Sequence, residues 1–108
     1  MLLDHGAAVN AADQNGDTPL YVTALSKKGN YVAVAELLLD HGADVNAKNK
    51  DGCTALWEAA YGEAELLAEL LVAHGADVNA KCWGKTPLQA AGMNMVIYKM
   101  LRKHGGHR

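Results

Sequence analysis

The chain contains no phenylalanine, and aromatic residues of every kind make up 6% of its 108 positions. Leu, Ile and Val come to about a fifth of the residues, just above the level at which disorder becomes the default. A round core of ordinary size wants more bulk than this. The apolar half of the chain is built largely from Ala and Leu, which suits elements packed close together with little volume between them. Neither sign of charge is in excess: 10 basic and 12 acidic side chains leave a formal net charge of −2. A general nucleic-acid binder should be strongly basic, so nucleic acid is set aside as a partner. No anionic membrane surface is implied either. No apolar run approaches the ~18 residues of a membrane span. The start, Met1-Leu2-Leu3-Asp4-His5, has neither the basic region nor the long apolar stretch of a secretory signal. Two cysteines, Cys53 and Cys82, make no disulfide framework. Read as free thiols they fit a reducing compartment, so an intracellular, cytoplasmic location is expected.

What is present is repetition. Gly6-Ala7-Ala8-Val9-Asn10-Ala11 returns as Gly42-Ala43-Asp44-Val45-Asn46-Ala47, and again as Gly75-Ala76-Asp77-Val78-Asn79-Ala80. The spacings are 36 and 33 residues. A second motif runs out of phase with it: Thr18-Pro19-Leu20-Tyr21, Thr54-Ala55-Leu56-Trp57 and Thr86-Pro87-Leu88-Gln89. Two motifs interleaved at one period mean a stacked array of supersecondary units. The first unit carries about three extra residues around Ser26–Gly29, the loop at Lys81–Lys85 is one residue short, and the last unit is shortened between its helices.

Local chemistry predicts the elements. Thr18, Thr54 and Thr86 can cap helix starts, with Pro19 and Pro87 in a first turn where the missing N–H costs nothing. Short helices are expected over 19–26, 55–62 and 87–92, and longer ones over 32–41, 64–74 and 94–104, with a stub at 2–5. Leu37, Leu38, Leu66, Leu67, Leu70, Leu71, Val96, Met100 and Leu101 recur at helical spacing and are expected to face inward. Gly42, Gly75 and Gly105 end the longer helices in the left-handed conformation. Val9, Val45 and Val78 are expected to plug between successive units. Met93, Met95 and Met100 are expected to fill an irregular core in the shortened last unit.

The combined pattern, TALWEAA followed by LLVAHGADVNAK within Thr54–Lys81, resembles the ankyrin repeat, whose period is about 33 residues. The resemblance implies an all-α solenoid of paired antiparallel helices with hairpin-like finger loops. It covers one domain over residues 1–108: a partial repeat at 1–12, repeats at 13–48 and 49–81, and a C-terminal capping repeat at 82–108.

No catalytic constellation is visible, and neither a cofactor nor a metal site is expected. His41, His74 and His104 recur one per unit; equivalent residues of stacked helices lie about 8–10 Å apart, whereas zinc needs its ligands about 2 Å from one centre. They are read as helix-end residues bonding to free carbonyls. Cys82 lies in a turn and is expected to be accessible. Cys53 precedes a helix start, where the dipole would lower a thiol pKa, but neither has a partner for nucleophilic chemistry.

Recognition of a protein partner is the function expected instead. In the family, partners contact the finger tips and the exposed face of the first helices. The matching positions are Gln14, Asn15, Asp17, Lys50, Asp51, Cys53, Trp83 and Lys85 on the fingers, and Val22, Leu25, Glu58, Tyr61 and Ala90 on the helices. Trp83 stands out, because burial at a turn is unfavoured and Trp is enriched in binding hot spots. Trp57, in the place of the signature His, is read as packing. The resemblance also implies asparagine hydroxylation at Asn46 and Asn79, each eight residues after a Leu (Leu38 and Leu71). They are otherwise expected to bond within the finger turn. The alternative function is structural: a segment of a longer array, or a scaffold self-associating through an open N-terminal end.

Overall fold

The computed structural model describes residues 9–106. Its helices, in order, are α1 Pro19–Ser26, α2 Tyr31–Asp40, α3 Ala55–Tyr61, α4 Glu65–Ala73, α5 Pro87–Ala91 and α6 Met95–Lys103. Each begins and ends within one residue of the expected bounds. They pair as α1–α2, α3–α4 and α5–α6, and the pairs lean on one another in a row: α3 packs between α1 and α5, and α4 between α2 and α6. No strand forms among the described residues; a lone antiparallel bridge joins Cys82 and Lys85. The stub expected at 2–5 and the open end through which self-association was expected both lie outside the described residues.

Each short helix is started by its threonine. The hydroxyls of Thr18, Thr54 and Thr86 accept from the backbone N–H of Tyr21, Trp57 and Gln89 at 3.4, 3.3 and 3.3 Å. Each satisfies one of the orphan donors at a helix start. Gln89 completes a reciprocal box by accepting from the Thr86 N–H at 2.9 Å. Each long helix ends in the same way. After Leu38 the chain passes through Gly42 at φ +91°, where the Ala43 N–H donates to the Leu38 carbonyl and the Gly42 N–H to that of Leu39. Those two bonds define the Schellman motif. It recurs at Gly75 and Gly105 with Leu71 and Leu101 in the place of Leu38.

The core is a row of leucines, Leu20, Leu38, Leu56, Leu67, Leu71, Leu88 and Leu101, with Ile97, all fully buried. Ala24, Ala35, Ala59, Ala60 and Ala68 are also sealed off, so alanine lets the pairs approach. Val9 is buried, and Val45 and Val78 pack against the core in part. Three of the residues expected to face inward do not: Leu37 is 45% exposed, Leu66 69% and Val96 56%. Neighbours on a helix point about 100° apart. Of Leu37-Leu38 and of Leu66-Leu67, the second member points to the adjacent unit and the first to solvent. The methionines are corrected as well. Met93 and Met95 are exposed, and Met100 alone of the three packs on the core.

Hydrogen bonds between units reinforce the stack. The Asn46 amide donates to the Gly75 carbonyl at 3.2 Å and accepts from the Asp77 N–H at 2.6 Å. Asn10 does the same to Gly42 and Asp44, and Asn79 reaches the Gly105 carbonyl at 3.2 Å. The expected bond within the finger is made by the aspartates instead: Asp44 and Asp77 accept from the N–H of Asn46 and Asn79. Asn46→Ala is expected to lower stability by about 1–2 kcal/mol, since each of two bonds is worth about 1. Urea unfolding checks this, and Asn46→Asp, which keeps the acceptor and loses the donor, should fall between.

Candidate functional site

Three finger loops project from one side of the stack, and the third differs from the others. In the first, the Asp13 N–H donates to the Asp17 carbonyl. In the second, the Asn49 N–H donates to the Cys53 carbonyl. Three residues close each loop. The Asp13 side chain accepts from the N–H of Asn15 and Asp17, and that of Asn49 from Asp51 and Cys53, which holds the turn. In the third finger the exchange is between Cys82 and Lys85, so two residues, Trp83 and Gly84, must turn the chain. Both take positive φ, +57° and +74°. Two successive left-handed residues make the tight turn that suits a two-residue hairpin. The missing residue noted in the sequence therefore forces Trp83 into a backbone region uncommon for a bulky side chain.

This finger has no Asp or Asn at its first position to hold the turn. A covalent bond is there instead. Cys53 and Cys82 form a disulfide, with Cα atoms 4.6 Å apart and both residues buried. The reading of free thiols, and of an accessible Cys82, is thus overturned; there are no free cysteines among the described residues. Cys53 also leaves the set of finger-tip contacts, being 2% exposed. Cysteine usage no longer argues for a reducing compartment. The link occupies the register where the preceding junction has a hydrogen bond: the Asn49 amide donates to the Asp17 carboxylate at 2.9 Å. Asp17 corresponds to Cys53, and Asn49 to Cys82. The disulfide packs with Tyr21 and Trp57 in a small buried cluster at the base of the fingers.

The aromatic residues at that base reach across units. The Trp57 indole donates to the Lys85 carbonyl at 3.0 Å, pinning the third finger to α3. The Tyr21 hydroxyl donates to the Glu58 carboxylate at 2.9 Å. Burial pushes the Tyr21 phenol well above its usual range, and the bond to Glu58 and the charges of Glu58 and Asp17 push the same way. It therefore remains a donor at any physiological pH.

Between the third finger and α3 lies a cleft of about 380 Å³, lined by Trp57, Glu58, Tyr61, Trp83, Lys85, Gln89 and Ala90. Trp83 and Tyr61 are 69% and 65% exposed, and Tyr61 stacks on Trp57 with ring centroids 5.4 Å apart. A second cleft of about 370 Å³ repeats this position one unit earlier, lined by Asn15, Asp17, Tyr21, Leu25, Asn49, Lys50 and Asp51. Glu58, Tyr61, Trp83 and Lys85 of the expected site thus meet in the first cleft; Asn15, Asp17, Leu25, Lys50 and Asp51 meet in the second. Gln14 and Val22 are exposed but line neither. Trp57, Tyr21, Asn49 and Gln89 were not among the expected binding residues. The signal was available for three of them, since Tyr21, Trp57 and Gln89 hold the same register after each capping Thr.

A family model for ankyrin repeats matches three copies, over residues 1–49 and 26–107. The chain belongs to the ankyrin-repeat family. No curated protein matches it. Ankyrin repeats are generally protein–protein interaction modules and typically not enzymes. Among the described residues, no group of three or more His, Cys, Asp or Glu could hold a metal ion. None of their helices is long and apolar enough to cross a membrane. The ring of His41 bonds the Leu37 carbonyl at 2.9 Å, as a helix-end residue should. Asn46 and Asn79 have their side-chain amides engaged with the next ankyrin unit.

Proposed function

We propose that this ankyrin-repeat chain binds a protein partner without catalysis, through its fingers and the exposed faces of α1, α3 and α5. Its anchor is the cleft holding Trp83, Tyr61 and Trp57. One observation carries the reading. Large aromatic side chains are scarce in this chain, yet two of them are spent on solvent-facing positions that open onto a single cleft. Exposed aromatic clusters of this kind mark interaction sites, and rigid aromatic anchors carry much of the energy of an interface. The disulfide and the Trp57–Lys85 bond hold Trp83 in place before any partner arrives, so little ordering entropy opposes association.

Trp83→Ala is expected to weaken binding of a captured partner by about 1–3 kcal/mol, measured by calorimetry on the oxidised chain. Trp83→Asn serves as a control, because Asn accepts the left-handed backbone while removing the ring; it should weaken binding equally. Unchanged affinity in both would remove the cleft from the interface. Static light scattering against concentration separates this function from self-assembly, for which a rising mass is required.

A further inference from the structure

The aromatic cleft is not purely apolar. Glu58 sits in its wall, and the carboxylate is already oriented: Oε1 accepts from the Tyr21 hydroxyl, and Oε2 takes no hydrogen bond from a described residue. No described cation pairs with it. A half-buried carboxylate beside exposed aromatic faces has the chemistry that recognises a planar cation. A guanidinium stacks on an aromatic ring and offers two N–H groups to a carboxylate at once, whereas an ammonium is a compact point charge with no plane to stack.

Lys85 lies on the same lining with the opposite sign. It is exposed and makes no ion pair with Glu58. Glu58 is half-buried, so its charge acts in a lower dielectric than that of an exposed group.

We infer that the cleft takes an arginine side chain from an exposed segment of the partner, its guanidinium stacked against the aromatic wall and bonded to Glu58 Oε2. The inference rests on the binding role of the cleft proposed above.

A library of random linear peptides displayed on phage, selected on the oxidised full chain, tests it without a known partner. The expected result is a selected set with arginine at one fixed position. Glu58→Gln and Trp83→Asn should each weaken those peptides about tenfold or more, and so should citrulline in place of the arginine. Glu58→Gln still accepts from Tyr21, and unchanged thermal unfolding confirms that the fold is kept. Peptides that respond to Trp83→Asn but show no preference for arginine, or ignore Glu58→Gln, overturn the arginine inference and leave the cleft as a binding site. Selected peptides that ignore Trp83→Asn overturn both.

Discussion

Leu56→Ala is expected to lower the stability of this chain by about 2–5 kcal/mol, the cost of a leucine-sized cavity in a core. Leu56 is fully buried on α3, which packs against both α1 and α5. In a stacked array stability is close to a sum of units and nearest-neighbour interfaces. A loss in the middle unit therefore weakens two interfaces together, and few units remain to compensate. Urea unfolding should show one transition at a much lower midpoint. Leu101→Ala removes the same volume from α6, where one unit-to-unit interface among the described residues is affected. It should fray α6 first, seen as fast amide exchange from Met95 to Lys103 with α3 still protected. Leu66→Ala, at a 69% exposed position, should stay within about 0.5 kcal/mol of the parent. Equal losses for Leu66 and Leu56 would contradict the packing described.

The second large effect concerns the disulfide. Cys53 and Cys82 are 29 residues apart. Closing a loop of that size restricts the unfolded chain by about 3–4 kcal/mol in the chain-entropy model. The double variant Cys53→Ala/Cys82→Ala, or the parent with a dithiol reductant, is expected to lose about that much in denaturant unfolding. Partner or peptide binding should fall as well. Without the link the third finger keeps the Trp57–Lys85 bond but lacks the Asp or Asn that holds the other two turns, so Trp83 is less well ordered. If the parent unfolds at the same midpoint with and without reductant, the bond contributes nothing.

Much of this molecule was legible in the chain itself. The helices, their threonine caps and their glycine ends follow from residues that act within three or four positions of one another. The repeat period then implies the stack, because a unit with one apolar face cannot bury it alone. The candidate surface was legible in part: Glu58, Tyr61, Trp83 and Lys85 follow from their positions in the repeat, while Trp57 and Gln89 of the same cleft were missed and Cys53 is buried. Even the odd finger was announced by its missing residue.

What was not legible depends on neighbours from different units. Helical periodicity marks a broad apolar stripe, and it took the adjacent pair of helices to choose Leu38 over Leu37 and Leu67 over Leu66. The cysteines lack any local spacing that pairs them. They meet because the last position of one finger lies beside the first position of the next, a register also used by Asp17 and Asn49. The asparagines were assigned to their own turns, yet their amides reach across to the following unit. Local interactions are decided by sequence distance and so can be read along the chain. The stacking register brings together groups about thirty residues apart, and it alone settled which leucines are covered, which sulfurs join, and that Trp83, Tyr61 and Glu58 share one cleft.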